Sequence, residues 1–295
     1  MAEELRVHQD KKKQSEIISV IGLFLAILGF LAFAIFGEGR NVLFNLGLVV
    51  FFLGLITFIV GLVKFNGTIT KFKKTFLKDY FSSIIEDGDY YPKKSLSQNE
   101  VYSCGFIKRA DRFKGSDYLS GKIDGIEFES SDVHLQERQT YTDSKGRRKT
   151  RYVTFFKGRV FKFDFHKPIE HRLQVLERYR PRDGIKYKKV ELESIDFNKK
   201  FKTYSTDPHT AFYVLTPHFM ESIMKIEKNH PGQLGFSFMA EKLYFAINNN
   251  KSTFPIYPFV KIDERLVDTF KEDIEMLYEL VDDLKLNKKI FKEEK

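Results

Sequence analysis

The chain has 295 residues, enough for one large domain or two modest ones, and 42% of them are hydrophobic. Its single cysteine, Cys104, excludes an intramolecular disulfide framework and a metal site built mainly from thiolates. The formal net charge of +9 would suit nucleic acid, but no RNA- or DNA-binding motif accompanies the scattered basic residues, so we expect no nucleic-acid partner.

Two long apolar runs near the amino terminus predict two membrane spans. Residues 17–36 contain no charge, and at ~1.5 Å per residue a helix of this length matches the ~30 Å hydrocarbon core of a bilayer. Residues 42–63 form a second run, in which Asn45 and Thr57 are the clearly polar members. A cleaved signal peptide is the alternative for the first run. That run is longer than a ~7–15-residue signal core, however, and a second span follows almost at once.

The short link between the runs, residues 37–41, predicts a tight antiparallel hairpin. Glycines recur at intervals of seven in each run, which places small residues on one helix face, where two backbones can approach closely. They are Gly22 and Gly29 in the first run and Gly47, Gly54 and Gly61 in the second. The alternative is that glycine is simply frequent in membrane helices.

Lysine and arginine are concentrated on one side of both spans. The flanking basic residues are Arg6, Lys11, Lys12 and Lys13 before the first span and Lys64, Lys71, Lys73, Lys74 and Lys78 after the second, whereas the link holds only Arg40. The positive-inside bias therefore predicts a multi-pass protein of the cell membrane, with both termini and the soluble domain in the cytoplasm.

Residues 64–88 predict an amphipathic juxtamembrane helix. Ile69, Phe72 and Phe76 recur at three- and four-residue steps, and Gly88 would end the helix. Its lysines could lie on anionic headgroups while its aromatic face dips into the membrane. Alternatively, the helix docks on the protein's own domain.

Residues 89–295 predict a β-rich domain that begins with a short helix. Ser97 and Glu100 have the spacing of a capping box. Further on, alternating and β-branched residues in 118–138 and 149–165 predict the two strands of a long hairpin around the polar turn between them.

The second half of this region mixes short strands with helices. We expect strands at 201–205 and 211–215. A helix should follow from Thr216 to about Asn229, because threonine is a favoured N-cap and Pro217 suits the first turn.

A further hairpin is predicted from 234–239 and 242–247, and Gly158 is a candidate β-bulge. The chain ends in an amphipathic helix over 263–286. Its apolar stripe is Leu266, Phe270, Ile274, Leu277, Val281 and Leu284, opposite an acidic face of Glu272, Glu275, Glu279 and Asp282.

The predicted organisation has four parts: a cytoplasmic tail over 1–16, a transmembrane hairpin over 17–63, the juxtamembrane helix over 64–88, and a cytoplasmic domain over 89–295. The last is either one domain or two lobes joined near 167–189. The fold class is α+β: a two-helix transmembrane hairpin followed by a mixed, β-rich domain with a carboxy-terminal amphipathic helix.

Several short motifs lie on or beside these predicted elements. They are RADRF at 109–113, GSDYLSG at 115–121, the strand 128–134, FFKG at 155–158, FDFHK at 163–167 and VLTP with FM at 214–220. In this order, and with two amino-terminal spans, they resemble a bacterial membrane family described as domain of unknown function 3137. The chain departs from that pattern in the basic stretch 169–189, where the family has a short link. The resemblance implies a membrane-anchored cytoplasmic domain, and it transfers no catalytic residue.

The sequence contains no phosphate-binding loop, zinc-protease helix, serine-hydrolase elbow or Cys-x-x-Cys motif. Asp132 and His134 share one face of a predicted strand, as do Asp164 and His166, because strand side chains alternate. A carboxylate beside an imidazole can act as a general base or supply half of a metal site, so these four are the candidate catalytic residues. The alternative is that they are ordinary structural polar residues. We expect neither a cofactor nor a metal.

Five basic residues cluster at the tip of the predicted long hairpin: Arg138, Arg147, Arg148, Lys149 and Arg151. Beside a membrane they could bind anionic lipid headgroups, each contributing ~1 kcal/mol near the surface. The alternative is a solvated loop tip.

The leading functional hypothesis is a membrane-tethered binding or scaffold module that recruits a cytoplasmic protein or senses a lipid or small ligand. Besides membrane lipids, its partner would be a cytoplasmic protein or a second copy of the chain, with the acidic helix as a candidate contact. The alternative is a membrane-associated hydrolase, which requires the four candidate catalytic residues around one cleft. Transport is disfavoured, because Asn45 and Thr57 offer a solute little to bind.

Overall fold

The computed structural model describes residues 2–36 and 42–283, without the side chains of residues 33, 165–168 and 283. Helices occupy Ala2–Ile35 (α1), Val42–Phe72 (α2), Lys78–Ile84 (α3), Gln98–Ser103 (α4), Ile195–Lys200 (α5), Pro208–Val214 (α6), Pro217–Asn229 (α7) and Glu264–Asp283 (α8). Strands occupy Glu86–Tyr91 (β1), Arg112–Ile123 (β2), Ile126–Thr142 (β3), Arg148–Leu176 (β4), Lys188–Val190 (β5), Lys202–Ser205 (β6) and Gln233–Asn248 (β7). Two apolar helices, an antiparallel sheet and a carboxy-terminal helix confirm the α+β fold class.

The chain divides into two compact units. The first unit comprises Met1–Leu77 and Pro255–Phe270, and the second comprises Lys78–Phe254 and Lys271–Lys295. The two apolar helices therefore belong to the first unit and the sheet to the second.

Helices α1 and α2 are long and apolar enough to cross a membrane, judged by length and composition. The predicted close packing of this helix pair is confirmed at its glycines. A Cβ atom on Gly22 would lie 2.3 Å from the backbone nitrogen of Phe58, and one on Gly54 would lie 2.3 Å from that of Ala26. The backbones thus come together where glycine leaves room for them.

Helix α2 continues beyond the apolar run, through a π-helical turn at Lys73–Leu77, into α3. Gly88, expected to end the juxtamembrane helix, lies instead in β1, because α3 ends before it and β1 pairs with β2. In the first unit, Phe72 stacks on Phe76 at 5.1 Å and meets the His8 ring at 5.3 Å. Phe72 and Phe76 are therefore buried by the protein's own chain.

The sheet has the strand order β1-β2-β3-β4-β6-β5, with β7 also paired to β4, and all its pairs are antiparallel. Strand β4 is central, since residues 158–163 pair with β3 on one side and β7 on the other. Its end, residues 173–176, pairs with β6 and again with β7. The long hairpin predicted from the sequence is confirmed as the β3–β4 pair.

Two turns differ from those predicted. Asp124 and Gly125, both at positive φ, form a turn that divides the first predicted strand into the end of β2 and β3. The hairpin predicted across Ala240 is wrong. This residue also has positive φ, but it only bends β7, and the segments on both sides of it pair with β4.

The predicted bulge is displaced. It lies at Phe155, which the β3–β4 register skips, and not at Gly158. Gly158 instead allows β7 to approach, because a Cβ atom there would lie 1.9 Å from the carbonyl oxygen of Ile247.

Capping residues determine where the short helices begin. Residues 211–215, predicted as a strand, belong largely to α6, because the Asp207 side chain accepts a hydrogen bond from the backbone N–H of Thr210 and starts a helix there. Helix α7 confirms its prediction in full: it spans Pro217–Asn229, and Thr216 is its N-cap.

The two other helix predictions are also confirmed. At α4, the backbone N–H of Ser97 donates to the Glu100 carboxylate at 2.8 Å, and the Ser97 hydroxyl accepts from the Glu100 N–H, which completes the capping box. In α8, the buried members of the predicted stripe are Phe270, Ile274, Leu277 and Val281. Leu284 lies outside the described residues.

The sheet buries apolar side chains on both faces. On one side, here called the α4 face, Val101 of α4 belongs to the same buried cluster as Val133 of β3. On the other side, here called the aromatic face, Phe161 stacks on Phe245 at 5.4 Å and Phe236 on Phe245 at 4.6 Å. Because strand side chains alternate, each residue of β3 and β4 can be assigned to one of these faces.

Candidate binding cleft

The α4 face is uncovered at one end of the sheet, where it forms a cleft of 330 Å³. Strands β2, β3 and β4 and a residue of β1 supply its lining, which consists of Asp87, Tyr118, Ser120, Gly121, Lys122, Glu127, Phe128, Glu129, Lys162 and Asp164. Ser120 pairs with Glu129 and Lys122 with Glu127, so these four side chains project from the same face of the sheet.

Lys162 is the most enclosed charged group of the cleft, with 19% of its side chain exposed. Its ammonium group pairs with the Glu129 carboxylate and lies 3.4 Å from that of Glu100, while the Tyr118 hydroxyl donates to Glu129 at 2.5 Å. Burial lowers the pKa of Lys162, but the two carboxylates outweigh it and the net pKa is raised. Burial and the bond to Glu129 raise the pKa of Tyr118 to about 12. At neutral pH, Lys162 is charged and Tyr118 is protonated.

A second group of charges lines the more open side of the cleft. Lys122 donates to Asp87 at 2.7 Å and lies 4.0 Å from Glu127. The hydrogen bond to Asp87 raises the pKa of Lys122. Asp164 pairs with Lys242. The lining therefore presents four carboxyl and two amino groups.

The chemical groups of this arrangement can bind a polar ligand. Polar groups of both signs can exchange their internal pairs for hydrogen bonds and ion pairs to a polar ligand. Nucleophilic catalysis needs an activated nucleophile beside a base, whereas the Tyr118 hydroxyl is held protonated and no histidine is among the lining residues. Among the residues that the structure describes, no group of three or more His, Cys, Asp or Glu side chains could hold a metal ion.

Of the candidate catalytic residues whose side chains the structure describes, only Asp164 lines the cleft. The strand register places Asp132 and His134 on the aromatic side of the sheet, opposite to Asp164. His134 is within hydrogen-bonding distance of Thr154, at 2.8 Å, and burial and two nearby lysines lower its pKa. The side chain of His166 lies outside the described residues. The described candidates therefore do not surround one cleft.

Asp132 belongs to a buried polar cluster centred on Arg159. The guanidinium donates to the Asp132 carboxylate at 2.9 Å, to the Asp117 backbone carbonyl at 3.0 Å and to the Ser130 hydroxyl at 3.0 Å. Thr253 donates to Asp132 through its backbone N–H at 2.7 Å and its hydroxyl at 2.6 Å. The Arg159 and Asp132 side chains are only 5% and 7% exposed, so the cluster is closed to ligands and joins β2, β3, β4 and the segment after β7.

The basic residues predicted to bind headgroups are all exposed: Arg138, Arg147, Arg148, Lys149 and Arg151. Two of them are paired locally, since Arg147 lies 3.2 Å and Lys149 3.3 Å from the Asp143 carboxylate. Headgroup binding by this hairpin tip stays a prediction.

Comparison with known proteins gives a family resemblance and no activity. No curated protein matches the chain. A similar solved structure is the crystal structure of the mycobacterial trehalose monomycolate transport factor A, TtfA, with a TM-score of 0.37 and 9% sequence identity, covering 70% of this chain and 92% of that one. Residues 154–286 match the family model described as "Protein of unknown function (DUF3137)". The motifs between 109 and 134 lie outside the matched residues. The resemblance expected from the sequence is therefore confirmed over residues 154–286.

Proposed function

We propose that this protein is a membrane-tethered binding module, in which α1 and α2 span the cell membrane and the cleft of the second unit binds a polar ligand on the cytoplasmic side. The observation that carries the proposal is the uncovered end of the α4 face. There the sheet leaves ionisable and hydroxyl groups around a cavity.

The chemistry of the lining indicates the class of ligand. Lys162 is shielded from water, and a charge in such a position interacts more strongly with an opposite charge than it would in bulk solvent. Glu129 and Ser120 face the same cavity. A ligand that carries both a cationic and an anionic or hydroxyl group, such as a peptide segment or a zwitterionic small molecule, complements this set.

Filling the cleft should abolish ligand binding. We expect Ser120→Trp to place an indole in the cavity, because Ser120 projects into it beside Glu129. The measurement is purification in lipid particles from native membranes, with mass spectrometry of the bound molecules. Thr140→Trp is the matched control, since Thr140 is an exposed strand residue in the β3–β4 hairpin, outside the cleft lining. The proposal fails if the molecules recovered with Ser120→Trp match those recovered with the control.

The side of the membrane can be tested with single cysteines. The native thiol of Cys104 is buried and its pKa is raised to about 12, so the wild-type chain should react poorly with maleimides. We expect Asn41→Cys to react with an impermeant maleimide applied outside intact cells, and Lys145→Cys to react only after permeabilisation. The reverse pattern would place the second unit outside the cell and contradict the cytoplasmic assignment.

A further inference from the structure

The segment after Pro255 is fastened along the amino-terminal part of α1 within the first unit. Three hydrogen bonds hold it: the backbone N–H of Ile262 donates to Gln9 at 2.8 Å, the Lys12 ammonium donates to the carbonyl of Val260 at 2.8 Å, and the backbone N–H of Phe259 donates to Glu16 at 2.8 Å. The segment therefore runs antiparallel to α1.

These contacts fix the position of the segment along the axis of α1, relative to the apolar run of residues 17–36. From Gln9 to Glu16, α1 rises about 10 Å at 1.5 Å per residue, toward the run that begins at Ile17. Phe259 is bonded to Glu16, the last charged residue before that run. The backbone of Phe259 thus lies beside the residue after which the first span would enter the hydrocarbon.

The apolar side chains of this segment face outward. Phe259 is 72% exposed, Tyr257 56% and Val260 44%, and in α1 the apolar residues that follow Glu16 are exposed as well, with Ile17 at 47% and Val20 at 50%. Exposed aromatic residues held beside the start of a membrane span are unfavourable in water, but they are the composition found at membrane–water interfaces.

A buried ion pair holds the segment in place. The Lys12 side chain is fully buried, pairs with Glu16 and lies 5.6 Å from the centre of the Phe65 ring. Each partner also binds the segment's backbone, Lys12 through Val260 and Glu16 through Phe259. Because a charged group takes part in each of these two hydrogen bonds, they are stronger than bonds between neutral groups, and they hold the segment against α1.

We propose that Pro255–Val260 is a second membrane contact, in which Tyr257 and Phe259 insert into the boundary between headgroups and acyl chains beside the first span. The inference rests on the proposed function, since it requires that α1 spans the membrane. Prolines at 255 and 258 restrict the backbone, and Phe259 is held at φ +62°, so the rings are presented on a rigid turn. Rings with an apolar body and, for tyrosine, a polar tip are suited to this boundary.

The chain contains no tryptophan, so a single introduced tryptophan reports on its own position. The variants are Phe259→Trp and Tyr257→Trp, measured in bilayers that contain lipids brominated near the headgroup end of the acyl chain. Leu23→Trp, about 9 Å into the apolar run, is the control within the bilayer, and Val7→Trp, about 15 Å before the run, is the control outside it.

We expect the Phe259→Trp and Tyr257→Trp emissions to be blue-shifted relative to Val7→Trp and to show at least half of the quenching of Leu23→Trp. Two reporters are needed because tryptophan at the positive φ of position 259 could disturb the turn. If both resemble Val7→Trp while Leu23→Trp is quenched, the membrane-contact proposal is wrong and the spans stand. If Leu23→Trp is also unquenched, the spans themselves are wrong, and the proposed function fails with them.

Discussion

Replacing Arg159 with alanine is expected to lower the free energy of unfolding of the second unit by about 3–5 kcal/mol, the usual cost of removing one partner from a buried ion pair. The substitution would leave the Asp132 carboxylate, whose side chain is 7% exposed, without its cation. It would also remove the donors to Ser130 and to the carbonyl of Asp117. The measurement is urea unfolding of the full chain in lipid particles, followed by the circular dichroism of the sheet.

The control lies on the same strand. Arg151 is exposed and donates to Gln139 at 3.3 Å, so Arg151→Ala should change the stability by no more than about 0.5 kcal/mol. The double variant Arg159→Met with Asp132→Leu should recover part of the loss, because removing both charges leaves neither one buried alone. Equal stability of Arg159→Ala and Arg151→Ala would show that the pair does not hold the strands together.

The features that could be predicted from the sequence are those that a few neighbouring residues determine. Thr216 and Pro217 start α7 at the predicted residue, and Ser97 with Glu100 forms the predicted capping box, because a cap is completed within one helical turn. The same logic explains the error at residues 211–215. Their apolar and aromatic composition suggested a strand, but the Asp207 cap directs the segment into α6.

The features that could not be predicted depend on pairing between distant residues. Ala240 resembles a hairpin turn locally, yet whether β7 folds back on itself or stays alongside β4 is decided by β4, whose paired residues lie about 60–90 positions away. The candidate site likewise combines a residue that its local sequence indicates with a partner that only distant pairing brings near. Asp132 could be singled out from its strand, but its partner Arg159 is 27 residues distant and meets it only through the β3–β4 register.

The cleft could not be predicted from the sequence, for a related reason. The alternation of Glu127 and Glu129 with apolar residues indicates a strand with one exposed face, but every strand that is exposed on one face produces this pattern. What makes these residues a cleft is that α4 covers the sheet at Val133 and contributes none of the residues that line the cavity around Glu129, and no local signal reports how far a helix from another part of the chain covers a strand.

Replacing Gly54 with leucine is expected to separate the two apolar helices. A Cβ atom at this position would lie 2.3 Å from the Ala26 nitrogen and 2.8 Å from the Gly22 carbonyl oxygen, and neither backbone atom can move without moving its helix. The helix axes should therefore shift toward the roughly 8–10 Å spacing of ordinary helix pairs. Leucine preserves the apolar character of the span, so membrane insertion should persist while packing is lost.

The separation can be measured between spin labels at Ile21→Cys and Ile56→Cys, which face outward at 49% and 58% exposure, in a chain whose native cysteine is buried. Gly67→Leu is the matched control, because nothing lies within 4 Å of a Cβ atom at this residue of the same helix. We expect the label distance to lengthen in Gly54→Leu and to stay at the wild-type value in Gly67→Leu. If the two variants give the same distance, the close approach at Gly22, Gly29, Gly54 and Gly61 does not hold the helix pair together. The glycines would then reflect only the high frequency of glycine in membrane helices.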